Sequence, residues 1–371
     1  MIEAAANRAL PPIQYADVSL TSSARETTAV ATPAPLPTAL PTPVPHFTSR
    51  DVTFTSSDGT PLAGTLTVPE RGRGPYAALV LVHGTGPQDR DETIGPNPIF
   101  LQLSNALSNA GYAVLRYDKR GIGKSGGRTT LGTRDELIDD IKAAYQFASL
   151  QPEVDPQRIY LLGHSEGGEL VPTVAAEDPR VAGIVLMAPP ALPLWRVIMQ
   201  QALASSPPDQ RKAVEAKELT DFQNARDGHD SMRAWLRSSM DVDPIVDIKR
   251  VHVPILILQG GADVQVLPAD VPRLVAAARS VNGDVTVRIF SNDNHLFEPT
   301  TPGVKQTPYA ALQQYLTVPG RLDPRTLTAL NAWLATHTKR PCPTCHPEQS
   351  AAGAPSRDNH PATSIEAVPR S

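Results

Sequence analysis

The chain carries six short apolar runs, most of them apolar at nearly every position: ALVLVHG (78–84), YAVLRYD (112–118), RIYLLGHS (158–165), VAGIVLMAP (181–189), PILILQG (254–260) and VTVRIFS (285–291). A strand with one wet face alternates; a run that is apolar throughout suits a strand covered on both faces. Between these runs, residues 99–110, 135–149, 167–177, 268–281 and 323–338 carry apolar positions at helical spacing. Alternation of buried strands with helices predicts an α/β fold, a doubly wound, mostly parallel sheet with helices on both faces. Ahead of it, DVTFTSSDGTPLAGTLTVP (51–69) alternates apolar and polar residues around Ser-Asp-Gly, the pattern of an antiparallel hairpin.

Residues 191–248 break the rhythm. They separate two strand runs and contain three helical patterns of their own, LPLWRVIMQQAL, RKAVEAKELTDFQNA and MRAWLRSSM. A long insertion with its own helices is expected to form a lid over a site. Proline then marks the ends: of 38 prolines in 371 residues, Pro33, Pro35, Pro37, Pro41, Pro43 and Pro45 fall in one stretch, and Pro341, Pro343, Pro347, Pro355, Pro361 and Pro369 in another. Such segments bury too little apolar surface to offset chain entropy, so 1–46 and 340–371 are expected to be disordered, with one folded domain over 47–339.

Composition narrows the function classes. Residues are 40% hydrophobic and 19% charged with a net charge of −4, which allows a sizeable core and gives no basic excess for nucleic acid. No apolar run is long enough for an integral membrane segment. The opening MIEAAANRAL lacks a basic region followed by an apolar one and does not read as a complete signal peptide. A Pro/Thr/Ala tether of this kind nonetheless favours extracytoplasmic or surface-tethered residence.

Candidate chemistry sits at the ends of the strand runs. Gly163-His164-Ser165-Glu166-Gly167 follows one run and opens a helix. A Ser in G-x-S-x-G between strand and helix occupies a strained turn that needs small residues two positions either side, and lifts its hydroxyl above the sheet edge. The N–H of Glu166 and the helix start then face a developing oxyanion. A second donor should come from the loop His83-Gly84-Thr85-Gly86-Pro87, with Thr85 N–H preferred and Gly86 the alternative. A serine hydroxyl needs a base, and the base needs an orienting acid. In the chain order Ser, acid, His, Asp263 follows the run 254–260 and His295 follows 285–291; Asp293 and Asp270 are rival acids. His164 is read as packing and His83 as a brace of the oxyanion loop, while His229 and His252 have no evident partner.

Five motifs in order, HGTGPQDRDE (83–92), YDKRGIGKS (117–125), GHSEGG (163–168), GGADVQV (260–266) and NHLFEP (294–299), resemble bacterial α/β-hydrolase esterases, the group described as dienelactone-hydrolase-like or serine-aminopeptidase-like. The resemblance covers about 47–339 and implies an α/β-hydrolase fold. It implies a carboxylesterase with Ser165, Asp263 and His295 as triad, donors at Thr85 and Glu166, a small-molecule ester substrate, and neither cofactor nor metal. Gln88, Asp89 and Arg90 match the family's loop near the site mouth, as substrate contacts or as a hydrogen-bonded brace; Arg120 is structural. Gly86 and Gln88, with Trp195 and Met199 of the lid, are the expected substrate-binding residues, Trp235 being a further lid contact. The self-packing of the lid is the competing reading for its three residues.

Two rival functions remain open at this point. A peptidase removing N-terminal residues would hold the substrate amine with an acidic group such as Glu166, Glu169, Glu215 or Glu218. A non-catalytic binding module would lack a triad member. In the tail, Cys342-Pro343-Thr344-Cys345-His346 has the spacing of haem attachment. It lies in a segment too short to wrap a haem; a zinc site with His337, a local disulfide and an unstructured tail are the other readings. Oligomeric state is left open.

Overall fold

The opening hairpin forms as the alternation dictates. The computed structural model describes residues 46–128, 132–228, 234–301 and 308–338. Strands β1 (Phe47–Thr55) and β2 (Pro61–Pro69) pair antiparallel from Phe47↔Pro69 to Thr55↔Pro61. On β1 only Val52 and Phe54 turn inward, which suits an edge strand, and Gly59 takes φ +85° in the turn. The Pro-rich stretches, His229 and the Cys342–His346 motif lie outside the described residues.

The chain continues through β3 (Tyr76–Val82), a two-residue hairpin of β4 (Thr93–Ile94) and β5 (Asn97–Pro98), α1 (Ile99–Asn109), β6 (Ala113–Tyr117), α2 (Arg134–Ser149), β7 (Val154–His164), α3 (Glu166–Glu177) and β8 (Gly183–Met187). The insertion follows as α4 (Leu194–Ala204), α5 (Arg211–Asp227), α6 (Ala234–Ser239) and α7 (Pro244–Ile248). The last stretch is β9 (Ile255–Gly260), α8 (Val271–Arg279), β10 (Val285–Phe290), α9 (Pro308–Thr317) and α10 (Pro324–His337).

The main sheet has eight strands in the order β1-β2-β6-β3-β7-β8-β9-β10. β2 is antiparallel to both neighbours, and from β6 to β10 every pairing is parallel. Five of the six apolar runs are buried on both faces, as expected; β10, at the sheet edge, departs from this, with Arg288 and Ile289 exposed. Ala78, Val80 and Val82 of β3 join Ile141 of α2, Val171 of α3 and Leu274 of α8 in one core. Leu79 and Leu81 join Phe100 and Leu103 of α1 and Leu330 and Leu334 of α10 in the other. Each fully buried aliphatic chain contributes about 1.5–3 kcal/mol, so the two cores fix the sheet between its helical layers.

Parallel pairing brings the ends of β3, β7, β8, β9 and β10 to one edge, where their loops converge. Two features were not expected from sequence. The hairpin β4–β5 is too short for a periodic signal. Helix α9 lies in a Pro- and Thr-rich stretch and is short, with Ala311 and Tyr315 among its buried residues. The insertion also divides: α7 leaves the lid, since Ile248 is wholly buried in the core shared with α3 and α8.

Candidate active site

Ser165 stands between β7 and α3 with φ 53° and ψ −118°. A non-glycine residue at positive φ is strained by about 1–3 kcal/mol and persists only where its surroundings hold it. Ser165 N–H donates to Met187 O at 2.9 Å, and Gly168 N–H donates to Ser165 O at 2.8 Å. The glycine requirement is steric: a Cβ on Gly163 would lie 2.2 Å from Gly167 O, and one on Gly167 would lie 2.2 Å from Val82 O. The crowding of β3, β7 and α3 thus produces the turn that raises the serine.

The loop after β3 passes close by. A Cβ on Gly84 would sit 3.1 Å from Ser165 Cβ. Gly84 N–H donates to Glu92 Oε1 at 2.5 Å, and His164 Nδ1 lies 3.0 Å from the same oxygen. His164 Nε2 lies 3.0 Å from His295 O. Glu92 is completely buried, at φ 45°, and ties the loop after β3 to the serine turn and, through His164, to the loop after β10. Glu92 belongs to the quoted HGTGPQDRDE motif, yet its role depends on a tertiary approach that no spacing shows. His83 does not brace this loop. It is buried between Phe100 and Tyr117, with ring centroids at 5.4 and 5.0 Å, and burial pushes its imidazole down to about 4, so it is a neutral core residue at pH 7.

Thr85 is exposed and borders the cavity described below. Neither the Thr85 N–H nor the Glu166 N–H has a protein acceptor among the described residues. Gln88 borders the same cavity and donates through Nε2 to Thr85 O at 3.0 Å. Gly86, at φ +100°, bends the loop without reaching the cavity wall, which corrects the expectation that it meets substrate. Arg90 is a brace: its guanidinium grips Asp118 in a bidentate pair at 3.1 and 2.9 Å. Arg120 pairs with buried Asp140 at 2.8 and 2.6 Å, a structural role as expected.

The loops after β9 and β10 bring Asp263 and His295 together. His295 Nδ1 lies 2.8 Å from Asp263 Oδ2, and both side chains are buried. Asp263 also accepts from Gln259 Nε2 at 3.0 Å on Oδ2, and from the N–H groups of Gln265 and Val266 at 2.8 and 3.0 Å on Oδ1. Four donors therefore hold the carboxyl group in one orientation. Facing a carboxylate, His295 Nδ1 carries the proton and Nε2 keeps its lone pair. The rival acids are engaged elsewhere: Asp293 with Arg325 and Thr326, each at 3.2 Å, and Asp270 with Gln200 at 3.4 Å.

Ser165 and His295 border one cavity of about 290 Å³. No hydrogen bond joins Ser165 Oγ to His295 Nε2 in this structure; such contacts are often long before substrate binds and tighten in the reacting complex. The His295 ring centroid is 4.8 Å from that of His164, the residue before Ser165. From the lid, α4 presents Leu194, Val197, Ile198 and Gln201, spaced as one helical face. Trp195 and Met199 occupy another face and are buried, Trp195 edge-on to Phe222 of α5 at 6.3 Å. The expectation that Trp195 and Met199 touch substrate is corrected accordingly: neither borders the cavity, and Trp195 packs within the lid. Trp235 does border the cavity, as do Tyr315 and Leu316 of the unexpected α9.

A family model described as serine aminopeptidase, S33, matches residues 74–219. Esterase EstD of Thermotoga maritima is 32% identical over 295 residues, covering 78% of this chain and 68% of that protein. The chain belongs to the α/β-hydrolase superfamily. Dipeptidyl aminopeptidase BIII of Pseudoxanthomonas mexicana is 27% identical over 262 residues, 66% of this hydrolase but only 35% of that protein. Among solved structures, the ferulic-acid-bound Est1E of Butyrivibrio proteoclasticus superposes with a TM-score of 0.56 at 18% identity, covering 77% of this chain and 99% of that one. Esterase Pf2001 of Pyrococcus furiosus gives 0.51 at 18% identity, with coverages of 78% and 93%.

Three carboxyl groups line the hydrolase cavity, and all have internal partners: Glu92, already described with Gly84 N–H and His164, Glu166 and Glu169. Glu166 receives Lys119 Nζ at 2.9 Å and Trp235 Nε1 at 2.6 Å. Glu169 lies 3.4 Å from Arg134 Nε, while the shorter bond of that guanidinium, 2.7 Å, goes to Asp247. Burial, reinforced by the nearby Glu166, pushes Glu169 up to about 8 against the pull of Arg134. The folded hydrolase thus holds this proton more tightly than the unfolded chain, whose glutamate titrates near 4.5. The stability linked to it is complete below that value and is lost as the pH rises through about 8. Glu169→Gln should therefore show a smaller loss of unfolding free energy than wild type between about pH 5 and pH 9 in urea titrations. Parallel pH profiles would contradict the assignment.

Proposed function

We propose that this hydrolase cleaves carboxylic esters of short acyl chains through an acyl-enzyme on Ser165. His295 takes the proton from Ser165 Oγ as the oxygen attacks the acyl carbon, and Asp263 holds the imidazole in the tautomer that can accept it. The tetrahedral oxyanion sits against the N–H groups of Thr85 and Glu166; losing one such donor costs about 3–4 kcal/mol in the transition state. The imidazolium then gives its proton to the leaving alkoxide, which departs as the alcohol. Water, deprotonated by His295, attacks the acyl carbon; the acid leaves and Ser165 regains its proton.

The observation that carries this reading is the Asp263–His295 pair, held by four donors to the carboxylate, on the wall of the cavity into which the strained Ser165 opens. The esterase relative supports the ester class. The volume of about 290 Å³ lies near the lower end of ligand sites, which run from roughly 300 to 1,000 Å³, and supports short acyl groups. Gln88 and Trp235, with the α4 face Val197, Ile198 and Gln201, are the proposed substrate contacts.

A peptidase reading has the family model and the dipeptidyl aminopeptidase in its favour. Against it stands the state of the pocket carboxyls. Glu166 is paired with Lys119, Glu169 keeps its proton, and Glu92 is fully buried with Oε1 taken by Gly84 N–H and His164, so each pocket carboxyl is already committed to the protein's own groups rather than offered to a substrate ammonium. Parallel assays separate the two. We expect p-nitrophenyl acetate and butyrate to turn over at least about tenfold faster than the laurate. Aminoacyl-nitroanilides should be turned over slowly or not at all. Efficient turnover of the anilides with little action on esters would reverse the assignment.

A further inference from the structure

We propose that Lys119 is a positioning residue for the oxyanion hole, its ammonium group fixing one donor peptide directly and the other through the Glu166 side chain. Lys119 follows β6 in the YDKRGIGKS segment and is 7% exposed. Its Nζ donates to Gly84 O at 2.6 Å and to Glu166 Oε2 at 2.9 Å. Its backbone N–H donates to Gln88 O at 3.1 Å, which seats it under the loop after β3.

The significance lies in which carbonyl is held. Gly84 O belongs to the same planar peptide unit as the Thr85 N–H, and in a trans peptide the two point in opposite directions. A cation drawn against the carbonyl therefore turns the N–H the other way, and Thr85 borders the cavity that Ser165 opens into. The charge also polarises the peptide, since hydrogen bonds along a chain strengthen one another, and makes the N–H a better donor to an oxyanion. The second contact acts on the other donor. Glu166 supplies its own N–H at the start of α3, and its side chain is anchored to Lys119 at one oxygen and to Trp235 of the lid at the other. One buried ammonium thus fixes the separation of two N–H groups that come from distant parts of the chain. An ion pair placed only for stability would not need the Gly84 carbonyl.

This deepens the ester-hydrolase reading and rests on it. The test uses full-length wild type, Lys119→Met, and the double variant Lys119→Met/Glu166→Gln, in which no carboxylate is left unpaired. Each is assayed on p-nitrophenyl butyrate and on its thionoester, where sulfur replaces the carbonyl oxygen, and unfolding is followed by circular dichroism. A sulfur anion accepts hydrogen bonds poorly, so a well-aligned hole favours the oxygen ester, and a misaligned one loses that preference. We expect Lys119→Met to lower kcat on the oxygen ester by about a hundredfold with KM within about threefold, and to reduce the oxygen-to-sulfur rate ratio by about tenfold. The double variant should melt closer to wild type than Lys119→Met does while keeping the reduced ratio.

A wild-type rate ratio in Lys119→Met, or a double variant with wild-type kcat, would overturn the proposal, leaving Lys119 as a counter-ion only. If Lys119→Met fails to fold, the rate ratio of the double variant decides. Wild type without ester turnover, or turnover undiminished by Ser165→Ala, would instead remove the reading on which the proposal stands.

Discussion

Replacing Ser165 with Ala is expected to lower kcat on p-nitrophenyl butyrate by about 10⁵–10⁶-fold, with the fold and the thermal midpoint preserved. The loss is large because the remaining machinery has nothing to act with: His295 has no hydroxyl proton to remove, and the oxyanion donors can stabilise only attack by water. Stability should hardly change. Alanine carries the same Cβ at φ 53°, and the hydrogen bonds that secure the turn come from backbone groups, Ser165 N–H to Met187 O and Gly168 N–H to Ser165 O. Steady-state rates beside a circular dichroism melt check both halves. A variant that keeps a tenth of the wild-type rate would mean that another residue is the nucleophile.

Replacing Asp263 with Asn is expected to lower kcat by about 10⁴-fold. Asp263 accepts from four donors, His295 Nδ1, Gln259 Nε2 and the N–H groups of Gln265 and Val266. Asparagine has one accepting oxygen, so its NH₂ must face a former donor. If the amide oxygen keeps the two backbone N–H groups, the NH₂ faces His295 Nδ1 and imposes the opposite tautomer, with the proton on Nε2, where Ser165 needs a lone pair. If the oxygen turns to His295, the NH₂ opposes two buried N–H groups at about 1–3 kcal/mol of stability for each group left unpaired. The first outcome gives a folded but nearly inactive protein, the second a destabilised one. Urea unfolding alongside activity distinguishes them, and wild-type values for both would remove Asp263 from the site.

The parts of this molecule legible in its sequence are those written locally. Strands such as Ile255–Gly260 and helices such as Arg134–Ser149 appear because burial on both faces, or on one face, imposes a period that neighbouring residues share. The positions of Ser165, Asp263 and His295 were readable because a parallel sheet delivers the ends of its strands to one edge, so order along the chain becomes proximity in space. Glu92, Lys119 and Gln259 carry no such signature. Each acts on a residue brought to it by the fold: Glu92 on His164, Lys119 on the Gly84 carbonyl, Gln259 on Asp263. Trp195 and Met199 show a different limit. Helix α4 is apolar on the side facing the cavity and on the side facing α5, so periodicity locates the helix without saying which apolar face meets substrate. Tyr315 and Leu316 of the cavity wall carry no sequence signal, because α9 is a short helix in a Pro- and Thr-rich stretch.

The measurement that bears most directly on the central claim is peptide mapping by mass spectrometry after reaction of the full-length protein with a fluorophosphonate. A single phosphonyl adduct is expected on the peptide containing Ser165, with loss of ester turnover in step with its formation and no adduct in Ser165→Ala. An adduct on a different serine, or ester turnover that continues once Ser165 is fully modified, would contradict it.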